Sequence, residues 1–74
     1  MSLEHTKRLL GQAERHIEAG QTAVDRQRKI ISTLEREGHD SVLAKRLLST
    51  LERTLALYEA DRDRLRPRVA RESL

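Results

Sequence analysis

The stretch LEREGHDS, residues 34–41, decides how this chain of 74 residues folds. It separates two long segments in which apolar residues recur at helical spacing. Gly38 can adopt the left-handed conformation that ends a helix, and Asp40 or Ser41 can cap the helix that follows. Because so short a break joins antiparallel neighbours, we predict an all-α, coiled-coil-like two-helix hairpin. The alternative, one continuous helix, would place a glycine and a cap signal at its centre.

The first segment carries an uninterrupted seven-residue repeat, which is typical of coiled coils. Its aliphatic row consists of Leu3, Leu10, Ile17, Val24 and Ile31. The row three residues further on is mostly small or polar and consists of Thr6, Ala13, Gly20, Gln27 and Leu34. Within this second row, Gln27 either fixes the register of the packing or lies at its edge.

The second segment repeats mostly apolar residues alternately four and three positions apart, in the row Ala44, Leu48, Leu51, Leu55, Tyr58, Arg62, Leu65 and Val69. Folding the chain at residue 39 would place Val24 opposite Leu55. It would also place Gly20 opposite Tyr58, where the glycine makes space for the only aromatic ring. We therefore predict a hairpin core of Leu10, Ile17, Val24, Ile31, Leu34, Leu48, Leu51, Leu55 and Tyr58.

The predicted layout is a single domain over residues 1–74. It comprises a helix over 3–37, a turn over 38–40, a second helix over 41–66 and a basic tail over 67–74. Pro67 sets the end of the second helix, because proline removes a backbone donor and disfavours helical geometry in the residue before it.

Both segments carry apolar residues beyond those that the hairpin core uses. Soluble monomers rarely expose contiguous apolar patches larger than a few hundred Å². We therefore predict a homo-oligomer and favour a dimer of hairpins that forms a four-helix bundle. A trimer, or docking to helices of another protein, would bury the same surface. The predicted intermolecular face consists of Leu9, Ile30, Leu43, Leu47 and Leu57.

The net charge of +3 comes from the C-terminal part of the chain. Residues 1–61 carry ten basic and ten acidic side chains, whereas residues 62–74 carry five arginines and two acidic residues. We favour the interpretation that these arginines complement a helix dipole. The alternative is a nucleic-acid-binding protein, which the lack of aromatic stacking platforms and of a dense basic block disfavours. The candidate anion contacts are Arg62, Arg64, Arg66, Arg68 and Arg71.

The sequence has no pattern typical of a catalytic centre. It lacks cysteine, its three glycines stand alone, and its serines have no context of an activated nucleophile. Glu37, His39 and Asp40 could offer metal ligands, but a charged helix end is a commoner explanation for such a cluster. We predict a non-enzymatic protein without cofactor or metal. In the absence of a signal-peptide pattern and of a membrane-spanning segment, we expect it to be cytoplasmic and to have no membrane partner.

Polar and apolar residues recur in a particular pattern over residues 13–65. The pattern runs from Arg15-His16-Ile17 and Gly20 through Gln27-Arg28 to Gly38-His39-Asp40, and continues to Tyr58 and Asp61-Arg62. It resembles short, uncharacterised proteins common in alphaproteobacteria, some of which recur near or within signalling proteins. The resemblance implies a bacterial cytoplasmic helical hairpin, with no assigned activity, that serves as an accessory to signalling or regulation.

Overall fold

The computed structural model of this protein describes residues 2–74 and consists of two packed helices. Helix α1 spans Leu3–Arg36 and helix α2 spans Val42–Glu72, and together they form a rod of 57 × 14 × 13 Å. The described residues contain no strand. The predicted all-α hairpin is confirmed. Met1, the first residue of the predicted domain, lies outside the described part of the chain.

The turn between the helices is built from hydrogen bonds at the end of α1. Gly38 has a φ of 75°, the left-handed conformation that glycine adopts without steric cost. Its N–H donates to the carbonyl of Glu35 (3.2 Å), and the His39 N–H donates to the carbonyl of Leu34 (2.8 Å). This pair of bonds is the Schellman motif, which satisfies carbonyls that the helix end leaves without partners.

Asp40 and Ser41 were the two candidates for capping α2, and the structure distinguishes them. Asp40 Oδ1 accepts a hydrogen bond from the N–H of Val42 (2.9 Å). Ser41 occupies the cap position but its side chain makes no cap hydrogen bond. The carboxylate of Asp40 therefore satisfies one of the free N–H groups at the start of α2.

The core is formed by the two rows of the α1 repeat. The buried residues of α1 all belong to these rows and are Thr6, Ala13, Ile17, Val24, Gln27 and Ile31. Helix α2 has no buried residue. The remaining predicted core residues are half-buried: Leu10, Leu34, Leu48, Leu51, Leu55 and Tyr58. Among residues 2–74, four buried residues are apolar (Ala13, Ile17, Val24 and Ile31), so one hairpin encloses a thin core.

The register of the two helices differs from the predicted one by about one helical turn. A Cβ atom at Gly20 would lie 3.2 Å from Cδ1 of Leu55, so Gly20 faces Leu55 and not Tyr58. Tyr58 instead packs against His16, with 4.6 Å between the ring centroids. The prediction was wrong because it counted the break as a symmetric loop. The Schellman bond from the His39 N–H to the Leu34 carbonyl places residue 39 at the height of Leu34. The chain therefore turns back several residues earlier than a loop centred on residue 39 would.

Gln27 connects the helices across the core. The residue is only 7% exposed, and its Nε2 donates to the backbone carbonyl of Ala44 at 2.9 Å. A buried amide needs such a partner, and a slipped register would remove it. Of the two interpretations open for Gln27, the structure supports the register-fixing one.

Helix α2 continues through Pro67 to Glu72, so the predicted helix end at residue 66 and the tail over 67–74 are wrong. Proline lacks the N–H that would donate to the Asp63 carbonyl, and its ring crowds that carbonyl, so the helix continues at a cost. The final turns lie beside the start of α1, where Pro67, Arg68 and Arg71 line one groove with Leu9. The Ser73 N–H and hydroxyl both donate to the Val69 carbonyl and close the last turn.

Candidate interaction surface

One side of the rod carries ion pairs between the two helices. Lys45 Nζ lies 2.9 Å from Glu35 Oε2, and Arg28 Nη2 lies 3.3 Å from Glu52 Oε2. In each helix the two partners are seven residues apart, so they lie on the same flank of the packed seam. We call this flank, with Arg28 and Glu35 of α1 and Lys45 and Glu52 of α2, the salt-bridge side. These pairs were not predicted above, although charges of opposite sign recur seven residues apart at positions 28 and 35 and at positions 45 and 52.

The opposite flank of the rod has a different composition. In α1 it carries the row Leu9, His16, Ala23 and Ile30, and in α2 the row Leu47, Thr54, Asp61 and Arg68. A groove lined by Leu9, Asp61 and Arg68, among others, brings the two rows together at the end of the rod away from the turn. A further row of α2 lies next to them, one step away from the seam, and consists of Leu43, Thr50 and Leu57. We call this flank the apolar side.

The half of the apolar side nearer the turn exposes large aliphatic side chains. Leu43 is 77% exposed, Leu57 67%, Leu47 49% and Ile30 44%. The other exposed large apolar residues among residues 2–74 are Val42 and Leu74. Four of the five residues predicted for an intermolecular face thus form a strip that extends about 21 Å, from Leu43 to Leu57, along the rod.

Leu9, the fifth predicted interface residue, lies in a different environment. It is half-buried in an open groove of about 620 Å³, together with Leu65 and Pro67 of α2. Because α2 continues beyond residue 66, its last turns cover Leu9 within the hairpin. Leu9 therefore lies near the end of the rod away from the turn, apart from the exposed strip.

The five predicted anion-contact arginines lie at the open end of the rod, where α1 begins and α2 ends. Arg62 Nε lies 3.0 Å from Asp63 Oδ1, and the Arg62 side chain is 24% exposed. Arg64 pairs with Asp61. Among residues 2–74, no ion pair involves Arg66, Arg68 or Arg71. Residues 2–11 and 61–74 together carry seven basic and four acidic side chains, so the whole net charge lies at this end.

The turn end of the rod carries Glu37, His39 and Asp40, all of them exposed. His39 Nε2 lies 3.7 Å from Glu37 Oε2, and the carboxylate of Asp40 caps α2. Within residues 2–74, no three His, Asp or Glu side chains are grouped as metal ligands would be. The turn residues thus have structural roles, in a helix end and in a cap.

None of the helices described over residues 2–74 has a stretch long and apolar enough to span a bilayer. No protein-family model, curated protein or solved structure matches this chain. The resemblance to alphaproteobacterial hairpin proteins therefore stays a prediction. The two flanks of the rod differ: one carries ion pairs between the helices, and the other exposes large aliphatic side chains.

Proposed function

We propose that this protein is a non-enzymatic interaction module that associates with a second copy of itself through the apolar side. The observation that carries the proposal is the exposed strip of Ile30, Leu43, Leu47 and Leu57. Burying one such side chain contributes about 1.5–3 kcal/mol, so the strip is a substantial source of binding free energy. The thin core of the single hairpin supports the same conclusion, because small helical domains commonly gain stability by oligomerising.

Sedimentation equilibrium of the wild-type chain and of two matched variants tests this proposal. Leu47→Glu places a charge in the centre of the strip. Val42→Glu is the control, because Val42 is 52% exposed, close to the 49% of Leu47, and lies in the same helix on the flank of Lys45. We expect wild type and Val42→Glu to dimerise. In Leu47→Glu the dissociation constant should rise at least about tenfold, as the loss of one buried leucine requires.

Two outcomes would contradict self-association through this face. One is a wild-type chain that stays monomeric at concentrations up to hundreds of micromolar. The other is an equal effect of the two variants, which would place the contact elsewhere. Circular dichroism of each variant checks that the hairpin remains folded. The accessory role in a bacterial regulatory system, and binding to helices of another protein, stay predictions.

A specific observation favours a second candidate function, the binding of nucleic acid at the open end. Arg64, Arg68 and Arg71 follow one another at helical spacing on the apolar side of α2, and the net charge of the chain is confined to that end. A duplex DNA titration at several salt concentrations tests it. Phosphate contacts predict an affinity that falls with salt, by a slope of about −0.9 per contact. Replacing the three arginines by glutamine should abolish binding, whereas an affinity independent of salt would contradict this candidate.

A further inference from the structure

We infer that the two hairpins of the proposed dimer pack antiparallel and staggered, with the twofold axis near Thr50. This inference rests on the proposed self-association and specifies its geometry. A symmetric dimer that joins the apolar sides face to face has two arrangements. In the parallel arrangement, the axis runs along the rod, and residues at the same height in the two copies lie opposite each other. In the antiparallel one, the axis crosses the rod and the turn of one copy points toward the open end of the other.

The side chains at the edge of α2 favour the antiparallel arrangement. In the antiparallel arrangement, the twofold axis places α2 against α2 of the second copy. Leu43 then lies against Leu57 of the second copy, and Thr50 against Thr50 of the second copy. The parallel arrangement would stack α2 on α1 instead. The outer row of α1 at the same heights consists of Ala19, Arg26 and Thr33. Leu43 and Leu57 thus find apolar partners in each other in the antiparallel arrangement, whereas the parallel arrangement offers them polar or small ones.

The charge distribution favours the same arrangement. In a parallel dimer the two open ends, which carry the whole net charge, would lie side by side with Arg64, Arg68 and Arg71 on the joined faces. In the antiparallel dimer, Arg68 of the two copies would be about 50 Å apart at 1.5 Å per residue. This separation is several times the screening length of about 8 Å at physiological salt, so their repulsion vanishes.

The stagger follows from the position of the exposed strip. The centre of the strip is displaced from the middle of the rod toward the turn. When the strips of the two copies overlap, the open end of each copy therefore projects beyond the turn of the other. Arg64 then lies near the turn of the second copy, where Glu37 and Asp40 supply negative charge. The like-charged pairs that this arrangement brings near each other, such as Arg26 with its copy and Arg46 with Arg53 of the second copy, lie at exposed rims where water screens them.

Chemical cross-linking distinguishes the arrangements cleanly, because the chain contains no cysteine. Two single-cysteine variants, Thr50→Cys and Arg68→Cys, are treated with a short bis-maleimide. Thr50 and Arg68 both lie on α2, and sedimentation equilibrium of each variant before treatment establishes its oligomeric state. We expect the cross-linked fraction to be at least about tenfold higher for Thr50→Cys, since only this thiol would face its own copy at high effective concentration.

The other outcomes separate the two levels of the proposal. Cross-linking of Arg68→Cys, alone or as efficiently as Thr50→Cys, would overturn the antiparallel arrangement while leaving self-association intact. Variants that sediment as dimers but do not cross-link at either position would also overturn it, because the dimer would then use another face. Variants and wild type that all sediment as monomers would refute the proposed function itself.

Discussion

Replacing Gly20 by leucine perturbs the closest approach of the two helices. The glycine faces Leu55, and even a single added carbon would lie 3.2 Å from Leu55 Cδ1 and 3.9 Å from the Leu55 Cα. A leucine adds three further carbons in that direction. The helices must then separate or Leu55 must leave its position in the seam, and both changes weaken the packing around Val24 and Gln27.

The magnitude is the difference between two opposing effects. Removing a glycine from a helix interior stabilises the helix by about 0.8 kcal/mol. Overpacking a well-filled site destabilises by about 1–3 kcal/mol. We expect Gly20→Leu to lower the free energy of unfolding by about 1–2 kcal/mol, which corresponds to roughly 4–8 °C in Tm for each kcal/mol in a domain of this size. Gly20→Ala should be close to neutral, because only the flexible end of Leu55 must shift.

Gly11→Leu is the matched control for this prediction. Gly11 also lies inside α1, but the nearest atom to an added Cβ is Arg15 Nη1 at 3.5 Å, the mobile end of an exposed side chain. Gly11→Leu should gain the stability that comes from removing a helical glycine, without a clash against the other helix. We therefore expect this variant to be slightly more stable than wild type. Urea and thermal unfolding followed by circular dichroism, at one fixed protein concentration, measure all three variants. Equal stability of Gly20→Leu and Gly11→Leu would refute the register of the hairpin described above.

Four further predictions address other features of the fold. Gln27→Ala should lose about 1–2 kcal/mol of stability in urea unfolding, because the hydrogen bond across the core disappears; an unchanged midpoint would mean that Gln27 does not fix the register. Gly38→Ala should lose about 1–2 kcal/mol of stability through the left-handed backbone alone, since nothing lies within 4 Å of an added Cβ. Gly38→Asn should lose less stability, and equal losses in the two variants would contradict this explanation. Pro67→Ala should raise the Tm and the helical circular dichroism signal, by up to about 3 kcal/mol of stability, whereas a decrease would mean that the proline is required at this position. Lys45→Met should change stability by less than about 1 kcal/mol, because both Lys45 and Glu35 are half exposed to solvent, and a larger loss in thermal unfolding would contradict that estimate.

The sequence was sufficient to predict the rows of residues that form the seam, because burial along a helix follows directly from spacing. Ile17, Val24 and Ile31 recur every seven residues and are all buried. The exposed leucines of α2 follow from the same geometry, since Leu43 and Leu57 lie too far around the helix to reach the seam.

The register and the end of α2 required the structure. The spacing of apolar residues in the two helices does not predict that the His39 N–H donates to the Leu34 carbonyl. This hydrogen bond decides which residues of the two helices face each other. The rule that proline ends a helix is local, and here tertiary packing overrides it. Leu9, near the start of α1, lines one groove with Pro67, Arg68 and Arg71, and this proximity is visible only once the register is known.

The central claim is that the apolar side, and not the salt-bridge side, contacts a second copy of the chain. The most direct test is a dilution series of the wild-type protein, followed by NMR of its leucine and isoleucine methyl groups from millimolar to low micromolar concentration. We predict that the methyl signals of Ile30, Leu43, Leu47 and Leu57 shift with concentration, while that of Leu10, inside the hairpin seam, stays in place. Methyl signals that do not change over the whole series would contradict the claim.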